Sequence, residues 1–194
     1  EAFNGGRLHH AWLISGPRGV GKATLAWRLA RFLLATPETD AAPGLFGAPP
    51  VPRTLDIAPD HPVCRRIAAM SEGRMFLLRR PWDAKRQRLR QEITVDEVRR
   101  MKGFFTLSAA DGGRRVALID SADELNPNAA NALLKLLEEP PAGVVLLLVS
   151  HQPARLLPTI RSRCRALRLG PLDPAATKSA LAGAGVLVPE ADAA

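Results

Sequence analysis

Ala11-Trp12-Leu13-Ile14-Ser15-Gly16-Pro17-Arg18-Gly19-Val20-Gly21-Lys22-Ala23-Thr24 is the stretch on which the reading of the fold turns. Its first five residues form a short apolar run, which reads as a buried strand. Gly16 to Gly21 holds three glycines and a proline, a loop by composition. Beyond the loop, Leu25, Ala26, Leu29, Phe32 and Leu33 recur at helical spacing as far as Ala35. The order is strand, glycine loop, helix. Gly16 to Lys22 fits G-x-x-x-x-G-K, and that pattern has a mechanism. Glycines let backbone N–H groups turn inward around phosphate oxygens, and the helix N-terminus adds partial positive charge. The lysine reaches the outer phosphates. Gly16, Gly19, Gly21 and Lys22 are therefore candidate nucleotide-binding residues, with Ala23 and Thr24 opening the helix beside them.

Two positions depart from what a hydrolysing site needs. After the lysine, a Ser or Thr hydroxyl normally holds Mg²⁺; here the residue is Ala23. Thr24 lies about 100° further round the helix and does not replace it. ATP binding is expected, weak or without hydrolysis, and a well-formed Mg²⁺ site is not. Downstream, Arg115-Val116-Ala117-Leu118-Ile119-Asp120 reads as a buried strand ending in a carboxylate suited to help hold Mg²⁺. ATP-hydrolysing proteins of this type follow that carboxylate with Glu, which activates water. Here Ser121 follows, and a serine is no general base near neutral pH without an activator. Asp123 and Glu124 read as a solvated turn or a capping group. Nucleotide binding without turnover is the expectation.

The rest of the chain alternates strands and helices. Met75 to Leu78, Val144 to Val149 and Arg165 to Leu169 read as further strands. Thr94 with Glu97 three residues on has the spacing of a capping box, opening a helix that runs to about Leu107. Asn126-Pro127 starts another helix, with Ala130, Leu133, Leu134 and Leu137 on one face. Shorter features are a helix around Val63 to Met70, a turn at Asp111-Gly112-Gly113 and a helical segment after Pro171. A proline-rich insertion occupies residues 37–62, and proline resists regular structure. Strands of near-continuous apolar character between helices predict an α/β fold: a five-stranded parallel sheet flanked by helices. Residues 1–170 form that core, and 171–194 read as the beginning of a second, truncated helical domain.

Composition bounds the function. The 194 residues carry 27 Lys+Arg against 19 Asp+Glu, a net charge of +8, which favours a polyanionic partner. No apolar run approaches the roughly 18 residues of a membrane span, so no membrane role is expected. No secretory leader is read at the start, and Cys64 and Cys164 form no pair, so a reducing cytoplasm is expected. The histidines (His9, His10, His61, His151) are scattered, so neither zinc nor any other metal site is expected.

Asn131-Ala132-Leu133-Leu134-Lys135-Leu136-Leu137-Glu138-Glu139-Pro140-Pro141, then a strand, then Leu157-Pro158-Thr159-Ile160-Arg161-Ser162-Arg163-Cys164, resembles bacterial clamp-loader subunits of the AAA+ family. His9-His10-Ala11-Trp12 ahead of the phosphate loop resembles them too. The likeness covers about residues 8 to 170. Ala23 and Ser121 place the chain nearer the delta-prime branch of DNA polymerase III clamp loaders than the hydrolysing gamma/tau branch. The resemblance implies a P-loop AAA+ core, then a helical lid and a collar that assembles a pentamer. It implies that this chain starts within the family's adenine-binding region and stops at the start of the lid. It also implies a zinc insertion with four cysteines near the proline-rich segment, where only Cys64 stands.

In the family, the arginine of Ser162-Arg163-Cys164 acts in trans, so Arg163 is the candidate catalytic residue, an arginine finger for a neighbouring ATP site. An always-charged planar fork suits phosphate oxygens. Taken alone, Arg163 reads as a local ion pair or a solvated side chain. Ser150 stands where relatives place a polar sensor of the γ-phosphate, or is a polar strand end. Partners implied are the gamma/tau and delta subunits, and primer–template DNA through the assembly, with loading of the sliding clamp during replication as the task. Arg79 to Arg90 holds six basic residues and one acidic and reads as an exposed loop, either simply solvated or meeting phosphates, with Trp82 able to stack on a base. Competing readings are a hydrolysing gamma/tau-type motor or another P-loop ATPase, favoured by Lys22 and Asp120, and a small-molecule P-loop kinase.

Overall fold

The computed structural model describes residues 3, 8–36, 52–107 and 113–183. Five strands form one sheet: β1 (Ala11–Ser15), β2 (Met75–Leu78), β5 (Arg115–Asp120), β6 (Val144–Ser150) and β7 (Arg165–Arg168). Their order is β2-β5-β6-β1-β7, and every neighbouring pair is parallel, as the alternation of strands and helices predicts. All seven residues of the central strand β6 are buried, which only a sheet covered on both faces allows.

The pleat divides those residues between two cores. Ala117, Ile119, Leu146 and Leu148 face one side, where α3 (Val95–Leu107) and α4 (Pro127–Glu138) supply Val98, Met101, Leu133 and Leu137. Val116, Leu118, Val145 and Leu147 face the other, where α1 (Lys22–Ala35) and α2 (Pro62–Ala68) supply Ala26, Ala30, Leu33, Val63 and Ile67. Each fully buried Leu, Ile or Val contributes about 1.5–3 kcal/mol. The edge strand β7 differs: it is exposed at three of four positions.

Local signals act as expected at the helix starts. Glu97 accepts from the Thr94 amide at 2.8 Å and from the Thr94 hydroxyl, the reach-back half of a capping box. Asn126 accepts from the Ala129 amide at 2.9 Å, with Pro127 in the first turn of α4. The helix expected around Val63 to Met70 is α2, which stops at Ala68; Met70, at φ 52°, has left helical space.

The stretch from Arg79 to Arg90 is not a plain loop. It folds into a two-stranded antiparallel ribbon, β3 (Trp82–Asp83) with β4 (Arg88–Leu89), pairing Trp82 with Leu89 and Asp83 with Arg88. Its tip is held locally: the Asp83 carboxylate accepts from the amides of Lys85 and Arg86, both at 3.1 Å. Of the proline-rich segment, residues 37–51 lie outside the described residues, and Pro52 to His61 contain no helix or strand. The turn expected at Asp111-Gly112-Gly113 falls largely on residues 108–112, also outside them. After β7 come a short connection and α6 (Pro174–Gly183), which buries none of its residues. Before β7, the short helix α5 (Pro158–Ser162) turns the chain.

Candidate nucleotide site

The carboxyl ends of β1, β5 and β6 lie level with one another. Ser15 is opposite Ser150, and Asp120 is opposite Val149. Open parallel sheets bind ligands at this edge. From β1 the chain passes into Gly16, where a Cβ would lie 2.3 Å from the Leu169 carbonyl oxygen, so only glycine lets the loop run against the end of β7. Gly19 and Gly21 adopt φ of 85° and 83°, the left-handed region that favours glycine. Gly21 is the N-cap of α1, and no side chain caps that helix. Its first-turn amides are thus left to an outside acceptor, as an anion-binding helix start requires.

Lys22 is buried, at 3% exposure, and its ammonium donates to the Pro17 carbonyl inside the loop. Burial lowers its pKa from the usual lysine value; the Asp123 charge opposes this, Arg18 adds to it, and Asp120 opposes it. The Ala23 side chain is a methyl and Thr24 is exposed. The loop conformation and free amides therefore fit a nucleotide's phosphates, with Gly16 to Lys22 as the residues that would hold them. The chemistry such a nucleotide supplies is a transferable γ-phosphoryl group. The donor set does not fit Mg²⁺: Asp120 is an oxygen ligand of the right kind, and the hydroxyl at position 23 is missing. Among the described residues, no group of three or more His, Cys, Asp or Glu is placed to hold a metal ion.

Asp123 and Glu124 are engaged rather than solvated. Asp123 accepts from the Ser150 hydroxyl at 2.6 Å, from the His151 amide and, at 3.3 Å, from the Gln152 amide. This one carboxylate ties down the turn that ends β6, from 27 to 29 residues away in sequence, and no local pattern signals it. Ser150 is wholly buried and its hydroxyl is committed to that bond. Glu124 pairs with Arg80 at 3.0 Å. Ser121 is 3% exposed, and its hydroxyl has no hydrogen-bond partner.

Arg163 lies beyond α5, away from this chain's own loop. Its guanidinium pairs with Glu138 at 2.9 Å and donates to the Thr159 carbonyl at 3.0 Å. Its side chain is 37% exposed, so the pair sits at the surface. Arg165 lies 5.6 Å from the Trp12 ring centroid, a cation–π contact. The Cys164 thiol is pushed up to about 11 by burial, which keeps it protonated and unreactive at neutral pH. No helix among the described residues is long and apolar enough to cross a membrane.

Residues 1–173 match the family model described as DNA polymerase III, delta subunit. The delta' subunit of DNA polymerase III from Pseudomonas aeruginosa is 44% identical over 162 residues, covering 82% of this chain and 43% of that protein. The delta' subunit of Bacillus subtilis is 30% identical over 175 residues, covering 90% and 46%. The tau subunit of Salmonella typhimurium is 35% identical over 168 residues, covering 87% and 23%. Among solved structures, a DNA polymerase III gamma subunit-related protein from Thermotoga maritima superimposes with a TM-score of 0.57 at 21% identity, covering 84% of this chain and 42% of that one; this likeness speaks for the fold. The chain spans less than half the length of these relatives. The phosphate loop, the five parallel strands and the Ser162-Arg163-Cys164 segment all fall within the matched span, and the chain belongs to the DNA polymerase III delta subunit family.

Proposed function

We propose that the chain is the core of a non-motor clamp-loader subunit of DNA polymerase III. It contacts nucleotide without turning it over and lends Arg163 to the ATP site of a neighbouring gamma/tau-type subunit. Delta subunits and primer–template DNA are the other partners of that assembly, which works in the cytoplasm. Residues 171–194 belong to the start of its helical lid. The observation that carries the reading is the composition of the phosphate site: a methyl at Ala23, a hydroxyl at Ser121 where water activation needs a carboxylate, and both following acids tied up in other bonds. The likeness to delta' subunits supports it.

Releasing Arg163 costs little. A half-exposed ion pair such as Glu138–Arg163 contributes about 0–1 kcal/mol, so a neighbour's γ-phosphate competes readily for the guanidinium. The test is ATP turnover, measured on the protein alone and in the assembled loader. The protein alone is expected to show none. In the loader, Arg163→Ala is expected to slow the site it faces by about a thousandfold, the usual worth of such an arginine, while the complex still assembles. An unchanged rate in an intact complex removes the finger role. Clear turnover by the protein alone, abolished by Lys22→Ala, makes it a motor instead.

A further inference from the structure

A second cleft opens beside the phosphate site, at the carboxyl ends of β2, β5 and β6, and the Arg79–Arg90 segment forms its outer wall. It measures about 470 Å³, within the roughly 300–1,000 Å³ of small-ligand pockets. Its floor carries Asp120, Ser121 and His151, and its wall carries Arg79, Trp82 and Leu89. Two polar atoms there are buried and have no hydrogen-bond partner, the Ser121 hydroxyl and His151 Nδ1. Such orphans are rare in folded proteins and call for a partner. Trp82 is 57% exposed and Leu89 46%, although the two are paired across the ribbon. A large aromatic left that open at the mouth of a cleft is a stacking surface.

Charge identifies the class of occupant. Within the cleft, Arg79 and Arg80 offset Asp120 and Glu124, and Arg80 is bonded to Glu124. The interior is therefore near neutral and rich in hydrogen-bonding groups, with a carboxylate in its floor. That suits a nucleobase. The outside is different. Leu89 also borders a further cleft of about 640 Å³, where Lys85, Arg86, Arg88 and Arg90 outnumber Asp83 and Glu92. The Asp83 carboxylate is already occupied by the amides of its own turn. Phosphates belong on that side of the ribbon.

We infer that the ribbon and the cleft behind it form a binding site for single-stranded nucleic acid. One unpaired base stacks on Trp82 and is met by Ser121 and His151, and the adjoining phosphates run along Lys85, Arg86, Arg88 and Arg90. The cleft shares Asp120 and Ser121 with the phosphate site, but Trp82 and Arg88 lie outside that site, so their variants test the inference whether or not Arg163 acts in trans.

The experiment is fluorescence anisotropy with a labelled oligothymidylate and the full-length protein, across a range of salt concentrations. Trp82→Ala is expected to weaken binding by about tenfold or more, and Trp82→Phe to restore most of it. Ser121→Ala is expected to cost about threefold. Arg88→Gln is expected to lower the salt slope by about one, as for one lost phosphate contact. Trp82 is too exposed for its truncation to disturb the core, and a thermal melt of each variant checks this. Two results overturn the inference: Trp82→Ala binding as tightly as the parent, or a duplex of the same length binding equally well with the same Trp82 dependence.

Discussion

Gly16 shows how much a single missing side chain governs at this edge. The Leu169 amide donates to the Ser15 carbonyl at 2.8 Å, drawing β7 onto the start of the phosphate loop. Any Cβ at position 16 meets the Leu169 carbonyl, which is backbone and does not swing aside. Gly16→Ala is expected to cost about 1–3 kcal/mol, read as a lower urea midpoint, with the loss falling on the β1–β7 pairing. Hydrogen exchange at the Leu169 amide reports that local loosening. Asp123 is the opposite case, a residue that governs by what it holds. Its carboxylate takes the Ser150 hydroxyl, which in sequence reads as a phosphate sensor or as a polar strand end, and it keeps the end of β6 in place beside the lysine whose charge it stabilises.

Among the elements, α3 depends most visibly on its first turn. Burial alone would raise the pKa of Glu97. Two bonds from Thr94 and the Arg100 guanidinium, 2.9 Å away, outweigh that and hold it below the usual carboxylate value. A depressed carboxylate pKa stabilises the fold above the unfolded value of 4.5, and that stability is lost as pH falls through the folded value. Glu97→Gln is therefore expected to cost about 1 kcal/mol near neutral pH and progressively less in acid, where the parent carboxylate is also protonated. Denaturant titrations near neutral pH and in acid check it. The ribbon depends instead on its tip, where Asp83 collects two amides and Gln87 adopts φ 49°. Two-residue strands carry too little alternation to be legible in sequence, so a charge-rich segment reads as a loop until its pairing is seen.

For the whole molecule, His10 joins two layers. Its Nε2 lies 3.1 Å from the Leu137 carbonyl, linking the foot of β1 to the last turn of α4, and its ring stacks on His9 at 4.4 Å. Burial lowers its pKa, the His9 charge lowers it further, and the bond to Leu137 opposes both. The unfolded chain therefore takes up a proton near 6.5 that the folded protein resists, so stability falls as pH drops through that value. The urea midpoint is expected to decrease from about pH 7.5 to about pH 5.5, and His10→Gln to flatten that decrease. At this scale the parallel sheet also explains why the sites share one edge: every strand of it ends on the same side, so the phosphate loop, Asp120, Ser121 and the cleft under Trp82 converge there.

The sequence by itself determined the five strands of the parallel sheet, the longer helices, the capping box at Thr94 and Glu97, and the phosphate loop. These rest on periodicity and on bonds between residues three or four apart, which a linear chain displays. It also determined the missing chemistry at Ala23 and Ser121, because a side chain's functional groups are set by its identity. Only the tertiary structure decided which acids are free. The bonds of Asp123 to Ser150, of Glu124 to Arg80 and of Glu138 to Arg163 span 25 to 44 residues of sequence, and no local pattern encodes them. The same holds for the cleft beside Trp82. Its walls come from separate strands, and an orphaned hydroxyl or an exposed ring exists only once the chain has packed around it.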